Sequence, residues 1–252
     1  MATKQKFGVG VLIAVTRTDA LGVALAIPQP YRLGILQEVQ ADFSFTSKDL
    51  YGASQLPLDS GRGQAKLAFS AKTASIDAAA LAALHFGIVP TVGLKLPLID
   101  WAGTIPGSIA YTLTPVIPGS GAWVEDLGVS DTSGIAFTRV ATPSAAGQYS
   151  VSAGVYTFSS ADASRAVLIS SEYSASTGGI VVPMTNQLMG YSPSFQVILY
   201  NNSKGSVLAV KLTNCQSDKL SMPFKNEDFT VADFGWTALD DGTGSAGYWC
   251  QA

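Results

Sequence analysis

A chain of 252 residues, 47% hydrophobic and only 13% charged, is long enough to bury a sizeable core and carries about half the charge of an ordinary soluble domain. With a net charge of -3, 15 Lys and Arg and no basic run, it lacks the positive stripe from which tight nucleic-acid binding draws its affinity; its two cysteines rule out a disulfide-stapled scaffold, and no apolar stretch approaches the roughly 18 residues of a membrane span. A free monomer so poor in charge would be sparingly soluble, so much of its surface is expected to be covered by further copies of itself.

Lys4 and Lys6, followed by the apolar residues 7–15 and by Ala24-Leu25-Ala26, imitate a secretory signal, but Arg17 and Asp19 interrupt the apolar segment. Residues 7–15 are therefore assigned to a first strand, with Gly8 and Gly10 where a strand bulges or another backbone comes close. Residues 20–31, with Pro28 and Pro30, read as an irregular arm. Residues 39–46 then alternate apolar and polar without a fault, and 64–72 nearly repeat the pattern, with Ala65, Leu67, Phe69 and Ala71 on one face. These are two matched, half-buried strands, the spine of a sheet. Between them, residues 47–63 form a projecting loop far longer than a hairpin needs. Because it carries Leu50, Tyr51, Leu56 and Leu58, that loop wants a partner surface.

Residues 75–84 are the one convincing helix, with Ser75 as N-cap, Asp77 in the positive first turn, Gly87 in the left-handed position after the end, and Ile76, Ala80 and Leu84 on one face. At that length it must lie on a sheet. After Pro90 the chain is almost wholly β in character, with strands expected at 109–114, 123–129, 135–140, 155–158, 167–173, 195–200, 207–212 and 229–238. Turn signals at 118–121, 131–134, 144–147, 177–179 and 201–205 separate them. The expected fold is mainly β: a β-sandwich or sandwich-like barrel with one flanking α-helix, an N-terminal arm and a long projecting loop. A single domain over 1–252 is expected, with a Gly-, Ser- and Ala-rich β elaboration at 117–173.

Catalytic and metal patterns are absent from the sequence. The single histidine, His85, ends the helix, where an imidazole can meet the last free carbonyls, and no Gly-x-Ser-x-Gly elbow, Walker or Rossmann glycine pattern accompanies it. The acidic pairs Glu125-Asp126, Glu227-Asp228 and Asp240-Asp241 point to opposite faces if they lie on strands, so they read as solvated edges or turns. Asp240-Asp241-Gly242-Thr243-Gly244 is the most calcium-like stretch but lacks the Asp-x-Asp-x-Asp-Gly spacing. Cys215 and Cys250 read as free, part-buried thiols. Phe234, Trp236 and Ala238 share a strand face and read as core, whereas Tyr248 and Trp249 near the C-terminus imply a docking surface on the same subunit or on the next.

Leu36-Gln37-Glu38-Val39, the alternating strand after it, Lys48-Asp49-Leu50-Tyr51-Gly52, and the small-residue segment leading into the Ala-rich helix and Phe86-Gly87 resemble the major tail tube proteins of long-tailed (siphovirus-type) bacteriophages. Trp123-Val124-Glu125-Asp126-Leu127-Gly128-Val129, Gly147-Gln148-Tyr149-Ser150-Val151 and Pro223-Phe224-Lys225-Asn226-Glu227-Asp228-Phe229-Thr230 are similar to the same group, so the resemblance runs over most of the chain. It implies a structural virion protein of the tail, assembled in the host cytoplasm. Subunits would close into six-fold rings through their spine strands, and the rings would stack into a tube for genome ejection. Leu50, Tyr51, Leu56 and Leu58 would then contact the adjacent ring, and Phe7, Tyr248 and Trp249 would form weaker terminal contacts. Gln40, Asp42, Ser44, Thr46, Gln64, Lys66 and Ser70 would line the lumen. The implied partners are further copies, other tail proteins at the tube ends, and viral DNA that slides past without specific binding, with no membrane, cofactor, metal or catalytic residue. The competing expectation is a carbohydrate-binding β-sandwich, an adhesin or receptor-binding module.

Overall fold

The computed structural model describes residues 7–75 and 77–252, so Lys4 and Lys6 of the signal-like segment, and Ile76 of the expected helix face, lie outside the described residues. The chain divides into two compact units, one formed by residues up to Pro90 together with Val182–Ala252, the other by Thr91–Val181.

The first unit contains β1 (Val11–Thr16), β2 (Pro30–Leu33), β3 (Leu36–Tyr51), β4 (Pro57–Thr73) and α1 (Ala78–Leu81). Ahead of β1, a side chain at Gly10 would collide with the Tyr200 carbonyl, the close backbone approach expected there. Only the end of the expected arm is regular, where β2 pairs with β1. The expected long loop between the spine strands is corrected by the structure: both strands continue through it, pairing Ser47 with Arg62, Asp49 with Ser60 and Tyr51 with Pro57, and only residues 52–56 turn. Gly61, Gly63, Asp49 and Pro57 have weak strand preference, but once the ladder has begun each further pair adds hydrogen bonds that override it.

The helix is shorter than expected and starts later. Asp77, not Ser75, is its cap, accepting from the amides of Ala79 and Ala80. Ser75 instead accepts the Ile35 amide at 3.0 Å, tying the helix entry to the start of β3. After α1 the backbone widens into one π-turn, Ala82–Phe86, and ends at Gly87 with φ 64°, as the sequence predicts.

The second unit holds β5 (Thr91–Thr104), β6 (Thr112–Leu113), β7 (Ala122–Asp131), β8 (Thr138–Arg139), β9 (Gln148–Ser152), β10 (Val155–Phe158) and β11 (Ala166–Val181). They form a three-stranded sheet ordered β5-β11-β7 and a four-stranded sheet ordered β6-β10-β9-β8. Side chains of both sheets, among them Val129, Ile169, Tyr149 and Phe158, meet in one core, so the unit is a small sandwich. Its first and last residues, Thr91 and Val181, are paired to each other. The elaboration expected at 117–173 lies within it. β5 is not among the strands expected from the sequence: Val92, Leu94, Leu96 and Leu98 alternate as a strand requires, but Pro97 sits in its middle, and only an edge strand can hold a proline whose missing N–H faces outward. The turn expected at 177–179 is instead an irregularity within β11, between Ala175 and Ile180.

The chain then completes the first unit with β12 (Ser194–Ser203), β13 (Ser206–Ser221), β14 (Ala232–Ala238) and β15 (Gly247–Gln251). Lys204 and Gly205, both at positive φ, make the two-residue turn between β12 and β13. The eight-stranded sheet is ordered β2-β1-β12-β13-β14-β4-β3, with β15 on the β14 side of β13 but further along it. Six strand spacings would separate β2 from β3 by roughly 29 Å in a flat sheet. Gly34 and Ile35 alone join them, a reach of about 11 Å. The sheet therefore curls round its core without closing into a barrel. Inside it, Ala80, Leu81 and Leu84 of the helical segment pack with Leu12, Phe195, Phe234 and Trp236.

Candidate functional site

The β3–β4 hairpin is the feature that the fold leaves unfinished. Pairing places Gln40 opposite Ser70, Asp42 opposite Ala68 and Ser44 opposite Lys66, so the polar residues expected to face a lumen share one face. Thr46 and Gln64 flank the irregularity between Phe45 and Ser47, where Thr46 has no cross-strand partner and its hydroxyl fills the space a side chain at Gly63 would need. On the other face Val39, Ala41, Phe43 and Phe45 lie opposite Ala71, Phe69, Leu67 and Ala65.

Among the described residues only the base of this apolar face is covered. Phe69 stacks on Trp236 with ring centroids 6.0 Å apart, and Phe43 meets the edge of Phe69 at 5.5 Å. Beyond that point residues 40–51 of β3 and 57–66 of β4 are all exposed. At roughly 3.4 Å per residue, the exposed part of β3 is about 40 Å long. This stretch carries Phe45, 54% exposed with the Arg62 guanidinium over its ring at 4.3 Å, and the hairpin ends in Leu50, Tyr51, Leu56 and Leu58, each between 59% and 77% exposed.

Among the described residues both edges of this arm are open. β3 is the last strand of the sheet, and β4 pairs with β14 only from Ala68 to Thr73, leaving its second edge bare over 57–67. Across the gap below β14 lies β15. Its pairing puts Trp249 in a row with Val210, Leu199 and Leu12 on the core-facing side, yet Trp249 remains 59% exposed. Tyr248 and Trp249, with Phe43 and Leu67, line an apolar cleft of about 150 Å³. The terminal aromatics thus dock by main chain on their own subunit while their rings stay available. Phe7 lies elsewhere, 87% exposed, with its amide donating to the Ser203 hydroxyl at 3.2 Å.

The other chemistry-bearing residues are engaged in the fold. His85 meets the Ser217 hydroxyl through Nδ1 at 2.6 Å, rather than the helix carbonyls expected of it, because the π-turn aims the ring at β13. Burial holds its pKa below the ordinary histidine value, partly offset by the Asp218 carboxylate. Folded His85 therefore resists the proton that unfolded His85 accepts: the effect vanishes above the ordinary pKa and destabilises the fold as pH falls below it. Lowering pH from about 7.5 to about 5 is expected to reduce the urea midpoint of the wild type, with His85→Gln losing that part of the acid sensitivity.

Asp240 and Asp241 spend their carboxylates on the amides of Gly242, Thr243 and Gly244, as an ordinary Asp-Gly turn does. Asp126 corrects the expectation of solvated acidic pairs. It is enclosed in the second unit, accepting from the Tyr149 hydroxyl at 2.8 Å, the Tyr156 hydroxyl at 3.1 Å and the Gly128 amide at 3.1 Å. Burial, reinforced by Asp126, pushes the Tyr149 phenol above its ordinary value; for Tyr156, burial with Asp126 pushes it to about 12. The only sequence signal for this cluster is two tyrosines seven residues apart, too weak to read without the second sheet. Cys215 is fully buried, its thiol pushed to about 12 by burial, while Cys250 is exposed. Among the described residues no group of three or more His, Cys, Asp or Glu could hold a metal, and no helix is long and apolar enough to cross a membrane.

Comparison of the chain with models of known protein families and with curated proteins finds no match.

Proposed function

We propose that this protein is a structural subunit that polymerises into stacked rings, forming the tail tube through which a long-tailed phage ejects its genome. The observation that supports it best is the two-stranded arm exposed on both faces, with two open edges and an apolar tip. An isolated two-stranded ribbon is marginal in water, and a long open edge templates aggregation. Neighbouring copies that pair edge to edge, β3 of one along β4 of the next, satisfy both edges and turn the ribbons into a closed inner wall. The polar face of Gln40, Asp42, Ser44, Thr46, Gln64, Lys66 and Ser70 then lines a lumen of mixed, weak charge over which a polyanion slides. The tip supplies the contact between rings, and a head-to-tail contact that does not close on itself builds a tube. The function is mechanical and needs no covalent chemistry or cofactor. Its place is the virion tail, assembled in the host cytoplasm, with other tail proteins at the tube ends.

Electron microscopy of the purified protein across a concentration series tests this reading. Hollow rings or tubes wide enough for duplex DNA are the expected result. A monodisperse monomer at every concentration would sink it and favour a carbohydrate-binding module that uses the Tyr248 and Trp249 cleft.

A further inference from the structure

The hairpin tip has a counterpart at the other end of the same sheet. Strand register provides the ruler: Thr16 at the end of β1 pairs with Phe195, which pairs with Cys215, and Ala68 of β4 reaches nearly the same level through Thr237 and Gln216. From Ala68 the arm continues to Asp59 and Leu50 in the opposite direction, about 30 Å away along the strands. Beyond Thr16, the 18–29 segment and the end of the helical segment enclose a cleft of about 490 Å³. Its apolar wall is Leu25, Ile27, Tyr31, Ala83, Ile88 and Val89, with Ile27 and Val89 largely exposed. At Gly87, which lines the cleft, the helix end and the segment approach closely: a side chain there would strike the backbone of Ala20.

Resting on the assembly reading above, we infer that this cleft is the acceptor for the hairpin tip of a second copy in the next ring. Electrostatics favours that occupant. Residues 50–58 carry no charge, and among the described residues that line the cleft the one charged group, Asp19, is already engaged by the amides of Leu21 and Val23, so docking strands no ion. Polarity favours it as well: each copy offers one tip and one cleft at opposite ends of one sheet, which makes the contact heterologous and propagating. Area sets its strength. Four tip side chains, at most about 200 Å² each and only partly enclosed, fall short of the roughly 800 Å² per partner of a stable pair. One tip in one cleft binds weakly, and the contact holds only when a whole ring of tips engages a whole ring of clefts.

The test uses the full chain with a blocked tip, Leu56→Asp, and a blocked cleft, Val89→Asp; both side chains are exposed, so folding is checked simply by circular dichroism. Each variant alone is expected to stop at unstacked species at concentrations about tenfold above those at which the wild type forms tubes. Mixed together, they have one working tip and one working cleft between them, and the expected product is a single junction of doubled mass in sedimentation. Tubes from the Val89→Asp variant alone, or no junction in the mixture, would overturn the cleft assignment while leaving assembly intact. If the wild type itself never assembles, the underlying reading fails instead, and the acceptor with it.

Discussion

A Leu50→Asp, Tyr51→Asp double variant is expected to stay unassembled at concentrations where the wild type polymerises, while its unfolding transition stays within about 0.5 kcal/mol of the wild-type value. The two halves of this expectation have one cause. Both side chains project into solvent at the end of the arm, so the folded subunit gains little from them. In a stacked assembly they would be enclosed, and losing the burial of one such side chain costs about 1.5–3 kcal/mol per contact, a ten- to hundredfold rise in the concentration needed. Placing a carboxylate in an apolar seat adds a desolvation penalty, so the double change lies at or beyond the upper end of that range. Normal polymerisation of the variant, read by light scattering and microscopy, would show that the tip makes no contact between rings.

The second large effect falls on stability. Trp236→Ala is expected to destabilise the unit that contains it by about 3–5 kcal/mol, a large part of the 5–15 kcal/mol that ordinarily holds a domain together. Trp236 is 1% exposed, stacked on Phe69 of β4 and packed at a tilt against Phe234 of its own strand, at centroid distances of 6.0 and 5.6 Å. It is the surface on which the base of the hairpin rests, so its loss loosens the arm where the arm leaves the core. Among the described residues its indole N–H has no acceptor. Trp236→Phe, which removes that buried donor and keeps an aromatic ring, is accordingly expected to cost much less than the alanine change. Urea unfolding with an unchanged slope would confirm that the loss is one of stability; equal midpoints for the alanine and phenylalanine variants would refute the packing account.

Periodicity that repeats within a few residues is legible in the amino-acid sequence by itself. The alternation of 39–46 and 64–72 specifies two strands with an apolar and a polar face, and the ladder pairs those faces as the alternation requires. Gly87 marks the helix end, Phe234, Trp236 and Ala238 the core face of a strand, and the surplus of apolar residues in 50–58 an unsatisfied surface. Each depends on a local rule: side-chain period, a left-handed position, or an apolar residue with no alternating partner. Tertiary structure decides whatever depends on a distant partner. Pro97 lies in a strand because that strand is an edge, and residues 47–51 and 57–63 are strands because the ladder reaches them. Asp126 is enclosed because Tyr149 and Tyr156 arrive from another sheet, and β15 forms because β13 continues past the stretch that β14 covers. The tip and the cleft lie at opposite ends of one sheet because hydrogen-bond register sums over successive strands, a quantity that no single segment of sequence contains.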